Sequence, residues 1–492
     1  MAKISTLALA VVSASFIAPA AWASGFKLNE QSASGVGTAF AGRAAVVEDA
    51  STVFYNPAGM SKLKRAEISL GAAYLNADVT FKNGVRNNAA GVPSTFETGT
   101  YDHGGSLIPE QAIPFVYYAH PINDKLALGF GLFVPFGAET NYGKTALSSG
   151  FAGKTKLTTV DFQPAFSYKV TDTFAIGGGL DIVYAQGTLT KSLDLIPYVP
   201  TALGTPAGIG GMLDKEEYKG YENTFEVEGD DTAIGWNLGF MWDITPATTL
   251  GLTYRSAIDF TLEGEAEFGA KDGVKAFSTD AKHPVTGTAL PPGIYPVDGA
   301  TGKVPNQKAE VPLTGPQSVT LSLAHQLTDS LQVQGGVTWT DWSSFKYFDV
   351  KGKGPGMISA LSEKSMGLTD NYIGHIVENW HDTYAYAIGA TYTLNPQWLL
   401  RAGFAYDESP VDRNHRTARV PDNDRKWLTA GARFAPSQDL SFDLGLAYAF
   451  IDGFHMSEVD YNLNDQQSSK QRIEGDYELN AFGASMQMNY RY

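Results

Sequence analysis

Apolar and polar residues alternate with a period of two along most of this chain. In "DLSFDLGLAYAF", Leu440, Phe442, Leu444, Leu446, Tyr448 and Phe450 share one face, and Ser441, Asp443, Gly445, Ala447 and Ala449 the other. "TLGLTYRSAIDFTLEG" repeats the pattern, setting Leu250, Leu252, Tyr254, Ile258, Phe260 and Leu262 against Gly251, Thr253, Arg255, Asp259 and Glu263. The C-terminus places Phe482, Ala484, Met486, Met488, Tyr490 and Tyr492 on one side. Strand side chains point alternately to opposite faces, so these runs predict strands with one apolar and one polar surface. Many exceed ten residues, enough to cross a bilayer when tilted. The polar face carries Gly, Ser, Thr and Asp, as in a barrel lumen. The apolar face often ends in Trp or Tyr (Trp242, Tyr254, Trp339, Trp398, Tyr406), suiting an interfacial girdle.

Turn signals set the strand count. Asn123-Asp124, Thr171-Asp172, Thr245-Pro246, Thr328-Asp329, Asn395-Pro396 and Ser437-Gln438 each lie between two alternating runs. These six turns join twelve strands, with one more before them (66–81) and one after (472–492). The predicted fold is therefore all-β: a 14-stranded antiparallel transmembrane β-barrel over 66–492, with short turns and both chain ends on the periplasmic side. The longer, polar connections at 191–230, 265–310 and 351–377 belong outside the cell. Two of their stretches are apolar, "SLDLIPYVPTALG" (192–204) and "GPGMISALSEKSMG" (354–367). They suit either a lip that captures hydrophobic molecules from water or lipopolysaccharide, or loops packed on each other.

Composition narrows the classes. Among 492 residues there are 52 Gly, 24 Tyr, 27 Phe and no Cys, which excludes disulfides, thiolate metal sites and a Cys nucleophile. A net charge of −16 argues against a nucleic-acid partner. Mean hydropathy of −0.15 does not count against a barrel, whose strands average out. Residues 1–23 read as a signal peptide: Lys3, the apolar "LALAVVSASFIA", then Ala21-Trp22-Ala23 as a cleavage site. No catalytic, cofactor or phosphate-binding motif occurs, so neither an enzyme nor a cofactor is expected. His375 and His381 read as loop residues without metal-ligand spacing. "EVEGDD" (226–231) reads as a solvated loop in preference to a cation site.

Residues 24–65 lack strand alternation and are rich in small side chains. Inside the lumen they would form a plug, with Asn56-Pro57 turning it onto the wall, since Pro fixes φ and Asn favours turns. The other reading is a plain periplasmic turn before the first strand. In "LALGFGLFVPFGAE", alternation from Leu126 to Val134 runs into Pro135, Phe136 and Gly137. A closed barrel has no edge strand to accommodate a proline, so a kink and a local gap are expected in strand 3, unless the strand simply ends there.

"SGFKLNEQSASGVGTAFAGRAAVVEDASTVFYNPAGM" resembles the N-terminal hatch of the FadL family of outer-membrane long-chain fatty acid transporters. It has the G-F-x-L-N-E opening and the N-P-A motif at Asn56, Pro57 and Ala58. "GWNLGFMWDI", "LTYRSAIDF", "TDWSSF", "YAIGATYTL", "FAYDESPV" and "VPDNDRKWL" extend the resemblance over nearly the whole mature chain. It implies a fourteen-stranded barrel with an N-terminal hatch at 24–65, in the Gram-negative outer membrane, acting as a monomer. It also implies passive uptake of hydrophobic molecules, long-chain fatty acids foremost, with lateral release through a kink in strand 3. One of the family's basic carboxylate-binding positions aligns with Lys191. The other falls on Asp349, leaving Lys346 or Lys351 as substitutes. A tail of roughly 16 methylenes contributes up to about 13 kcal/mol when buried, so a cation mainly orients the head group. The missing second base keeps uptake of aromatic or alkane hydrocarbons open as a rival. An outer-membrane lipase and a general porin are the alternatives from other classes.

Overall fold

The computed structural model describes residues 25–87, 106–142, 147–193, 223–269, 277–278, 295–296, 306–354 and 371–492. The signal peptide, nearly all of the apolar stretch 192–204 and the stretch 355–367 lie outside the described residues. The barrel wall comprises β1 (Glu67–Asn87), β2 (Gln111–Pro121), β3 (Leu126–Phe133, resuming as Gly137–Asn141), β4 (Lys154–Lys169) and β5 (Phe174–Leu193). It continues with β6 (Asn223–Thr245), β7 (Thr248–Arg255 and Ile258–Gly269), β8 (Gln307–Gly315 and Ser318–Gln326), β9 (Leu331–Thr340 and Tyr347–Gly352) and β10 (Tyr372–Val377 and Thr383–Asn395). β11 (Trp398–Asp407), β12 (Arg425–Phe434), β13 (Leu440–Tyr461) and β14 (Gln467–Arg491) complete it.

Nineteen hydrogen-bonded segments thus make fourteen crossings, because β3, β7, β8, β9 and β10 are each interrupted once. β1 pairs antiparallel with β14, from Glu67↔Arg491 to Asn87↔Arg472, and closes the barrel. All six tight turns fall between the strands that the sequence assigns. "EVEGDD" and His375 do not lie in loops as expected: β6 starts at Asn223 and the outer piece of β10 at Tyr372. Both strands run past the apolar belt, so their outer ends turn polar while keeping their ladder bonds.

Large apolar side chains point outward into the belt, among them Phe130, Phe166, Trp236, Ile388, Leu444 and Met486. Trp242 and Trp398 lie at the short-turn ends of β6 and β11. Toward the other end, Trp339 Nε1 donates to Asp382 (3.2 Å) and Tyr406 Oη to Asp424 (2.9 Å), as interfacial aromatics do. One expectation fails here. Leu252 faces out, but Ile258, Phe260 and Leu262 are buried in the lumen. Asn237↔Arg255 and Asp230↔Glu263 set nine residues of β7 against eight of β6. One extra residue at Ser256-Ala257 inverts every side chain beyond it. β8 inverts alongside, at Pro316-Gln317: odd positions from Gln307 to Gly315 are buried, then Ser318, Ser322 and Ala324.

Residues 25–65 lie inside this wall. A helical turn (Ala33–Val36) is capped by the Ser32 hydroxyl, which accepts from Gly35 N (2.9 Å). A second turn (Thr52–Tyr55) leads into a 3₁₀ segment (Pro57–Lys62). Wall glycines make room for this backbone. A Cβ on Gly251 would strike the Ala44 carbonyl, and one on Gly403 would strike Thr38. We predict that Gly251→Val yields a heat-modifiable barrel with an unseated hatch. Its single-channel conductance in planar bilayers should rise severalfold, and unchanged conductance would show that the hatch does not depend on this contact.

Candidate functional site

The Asn56-Pro57-Ala58 segment lies against β5 and β6. The Asn56 side chain accepts from Ala58 N (3.1 Å) and donates to the carbonyls of Ala44 (2.6 Å) and Phe240 (3.0 Å). Pro57 opens the 3₁₀ turn at a position whose N–H would be orphaned anyway. The Ala58 carbonyl accepts from Ser167 on β4 (2.8 Å). Arg255 of β7 reaches inward to the Phe54 carbonyl (3.2 Å) and to Gln163 (3.0 Å), and pairs with Asp181.

A buried ion-pair network fastens the opposite side of the hatch. Asp443 of β13 receives Arg401 of β11 (2.8 Å) and Arg433 of β12 (2.8 Å). Arg401 continues to Glu48 (2.8 Å) and Arg433 to Asp49 (3.0 Å), both hatch residues. Burial works against charging Asp49. The Arg433 guanidinium, the Ser51 hydroxyl and Arg43 outweigh it, and hold the carboxyl down at about 2. These wall charges were not singled out from the sequence. Their signal is an Arg or Asp on the inward parity of neighbouring strands.

At the β3 kink, Val134, Pro135 and Phe136 stand opposite two residues of β4, between the pairs Phe133↔Asp161 and Gly137↔Thr158. Pairing with β2 stops at Val116↔Leu132, which leaves Gln111–Phe115 without a partner on β3. The hatch bonds the backbone of β3 at the kink instead. Leu28 N donates to Pro135 O (2.9 Å), Gly137 N to Phe26 O (2.8 Å), and Gln31 Nε2 to Val134 O (2.6 Å). Thr159 Oγ1 serves Phe136, accepting from its N–H (3.0 Å) and donating to its carbonyl (2.6 Å). The gap is therefore sealed from inside by residues 26–31. Phe26 lies in a cage of Trp342 (ring centroids 4.6 Å apart), Phe345 (5.5 Å), Trp380 (5.8 Å) and Phe136 (6.0 Å).

The cage continues into an apolar lumen lining that includes Val183, Leu189, Phe225, Phe260 and Val311. Lys191 pairs with Phe225 and ends the inward row of Val183, Ala185 and Leu189. Arg419, which the sequence reading missed, lies beside it. The β11–β12 connection folds into the lumen, pinned by Thr140 Oγ1 to Arg419 O (3.0 Å) and Tyr142 Oη to Ala418 O (2.6 Å). The Arg419 side chain is buried, with Nη1 on Thr155 (3.2 Å) and no partner for Nε. Its charge opposes that of Lys191. Lys346 and Lys351 do not converge on this point. Lys346 is exposed, and Lys351 has the outward parity opposite Val350 and Gly352, over the Tyr372 ring (5.4 Å). Asp349 is engaged by His375 (2.7 Å).

The sequence profile described as "Outer membrane protein transport protein (OMPP1/FadL/TodX)" matches residues 14–492. The chain belongs to this family. The Escherichia coli O6:H1 "Long-chain fatty acid transport protein" is 28% identical over 448 residues, 90% of each chain. A Pseudomonas aeruginosa FadL homologue of known structure superposes with a TM-score of 0.77 at 27% identity, covering 95% of this chain and 99% of its own. The Ralstonia pickettii toluene transporter TbuX shares the fold, with a TM-score of 0.60 at 18% identity and coverage of 94% and 99%. As a FadL/TodX protein, the chain is an outer-membrane transporter of hydrophobic compounds in the Gram-negative envelope, in a family of transporters and not of enzymes.

We predict that Glu30, in the hatch segment behind the kink, makes this site sensitive to pH. It lies among Val36, Phe40, Leu75, Trp427 and Ala447 with Oε1 unpartnered, and burial raises its pKa to about 7. A raised carboxyl destabilises the folded segment as pH climbs from the unfolded value through 7. Lys27, lowered to about 8 mainly by burial, stays protonated across that window and adds no slope. Hydrogen-exchange protection of 25–31, corrected for intrinsic rates, should fall by up to about tenfold per pH unit between pH 5 and 7. Glu30→Gln should abolish the slope, and an identical slope in that variant would exclude Glu30 as its source.

Proposed function

We propose that the chain takes up long-chain fatty acids by passive diffusion. The carboxylate is held by Lys191 and Arg419, and the tail lies along the apolar lining toward the Phe26 cage. The observation that carries this reading is the inward row of β5, which runs apolar from Val183 and ends in a cation. Its eight steps span about 26 Å at 3.3 Å per residue, enough for an extended acyl tail. In this reading 1–23 is removed as a signal peptide, and Asn56-Pro57-Ala58 anchors the hatch as a fixed plug. Cargo displaces Phe26, residues 26–31 withdraw from the kink, and the molecule leaves sideways between β2 and the outer piece of β3. A monomer suffices, with lipopolysaccharide and lipid as its surroundings.

A second reading, uptake of flat aromatic hydrocarbons, draws support from the Phe136, Trp342, Phe345 and Trp380 cage, which suits rings without a head group. The two are separated by uptake of labelled oleate, methyl oleate and toluene in cells lacking their own transporter. Charge-assisted hydrogen bonds contribute about 1.5–3 kcal/mol. Lys191→Ala and Arg419→Gln should therefore each lower oleate uptake at limiting concentration roughly tenfold or more, with little effect on the ester. Toluene uptake without oleate uptake would select the second reading.

A further inference from the structure

The β13–β14 hairpin stands far above its neighbours. β11 and β12 have 10 residues each, against 22 and 25 in β13 and β14. Its tip leans over the short strands and meets the outer ends of β9 and β10. There His375 donates or accepts at both ring nitrogens: Nδ1 faces Asp349 Oδ1 at 2.7 Å, and Nε2 faces Asp465 Oδ1 at 3.4 Å. Asp465 also accepts from Tyr347 Oη (3.0 Å), whose ring packs on the imidazole at 5.1 Å. The tip turn is closed by Asn462 N to Gln466 O (2.9 Å) and Asp465 N to Asn462 O (2.9 Å).

Behind this contact is a shallow cleft between the outer ends of β10 and β13 and the infolded β11–β12 connection. Its inner wall includes the buried carboxyl of Glu458, whose Oε2 accepts from Ala418 N (2.7 Å) next to Arg419. The contact therefore closes a side of the outer mouth that the short strands leave low. A neutral imidazole has one donor and can satisfy only one of two facing carboxylates. An imidazolium donates to both.

We propose that the hairpin tip is a proton-operated clasp on the outer mouth, held by the charged form of His375 between Asp349 and Asp465 and released when that proton is lost. The groups facing His375 are Tyr347 and Asp349 from β9, Tyr372 from β10 (with Lys351 over its ring), and Asp465 from the tip. His415 and Arg416 of the infolded connection and Glu458, Asp460 and Tyr461 of β13 line the same cleft. Carboxylates outnumber permanent cations in this set, which favours a charged ring. The segment lies beyond the apolar belt, which on β10 runs between Tyr384 and Leu394. Burial opposes the charge of His375, but the hydrogen bonds and charges of Asp349 and Asp465 outweigh it and raise the pKa. A raised histidine stabilises its contact fully at low pH, and the stabilisation is lost as pH climbs through the folded value.

The absence of cysteine allows a clean distance measurement. Lys308→Cys on β8 and Asn464→Cys at the tip, both exposed, would carry spin labels on the folded barrel, verified by heat-modifiable gel migration. At pH 5 a single short distance is expected. A longer population should appear with a midpoint above about 6.5, its ratio to the short one changing about tenfold for each unit by which the carboxylates raise the pKa. His375→Gln and Asp465→Asn should each remove the pH dependence. A distance that ignores pH, or that keeps its pH response in His375→Gln, overturns the clasp. No substrate enters the experiment, so its outcome is independent of the cargo.

Discussion

Asp443, with no side-chain exposure, is the junction on which the lumen depends. It receives two arginines from the wall, each of which also holds a hatch carboxylate, so β11, β12, β13 and residues 48–49 are joined through a single group. Removing one member of a buried charge network leaves others uncompensated, at a cost of about 3–5 kcal/mol. On the other side, Arg255, Gln163 and Asn56 join the hatch to β4–β7. A segment held at both flanks is a poor gate for vertical passage. Residues 25–31 are held differently, by backbone hydrogen bonds to an irregular stretch of β3, by Tyr117 Oη on the Gln31 carbonyl and by Phe26 in its aromatic cage.

That division connects the fold to its transport role. The lipid face demands large apolar side chains on every strand, and strand alternation would leave the lumen polar throughout. One-residue insertions in β7 and β8 break this constraint. Beyond them the same even-numbered apolar residues of β7 turn inward, giving the outer lumen a surface that suits hydrophobic cargo. The short-turn half, below the insertions, carries inward polar groups such as Asp181, Asn237 and Asp443 beside Phe115 and Tyr117, and is filled by the hatch.

Much of this was legible in the sequence. Turn chemistry at Asn123-Asp124 and its five counterparts marked the hairpins, and Pro135 in an otherwise regular strand marked an irregularity that tertiary context turns into a bulge. The inversion at Ser256-Ala257 was not legible, because alternation before and after it looks continuous when both halves are apolar. Arg419 was hidden in "PVDRNHRTARVPDND", a stretch with three arginines and no alternation to say which of them turns inward. The hatch network escaped for another reason: Arg433 and Asp49 are 384 positions apart, and only barrel closure brings them together.

The most direct test of a fixed plug with a side exit is to map where cargo touches the wall. A fatty acid with a photoactivatable group at its tail end, illuminated during uptake, would label the residues along its path. A lateral route predicts adducts on Val134–Gly137 and on β2 residues 111–115, which pair with β1 but have no partner on β3. Adducts at Lys62, Lys64 and Arg65, where the hatch meets the short-turn end, would contradict it and place the exit through the plug.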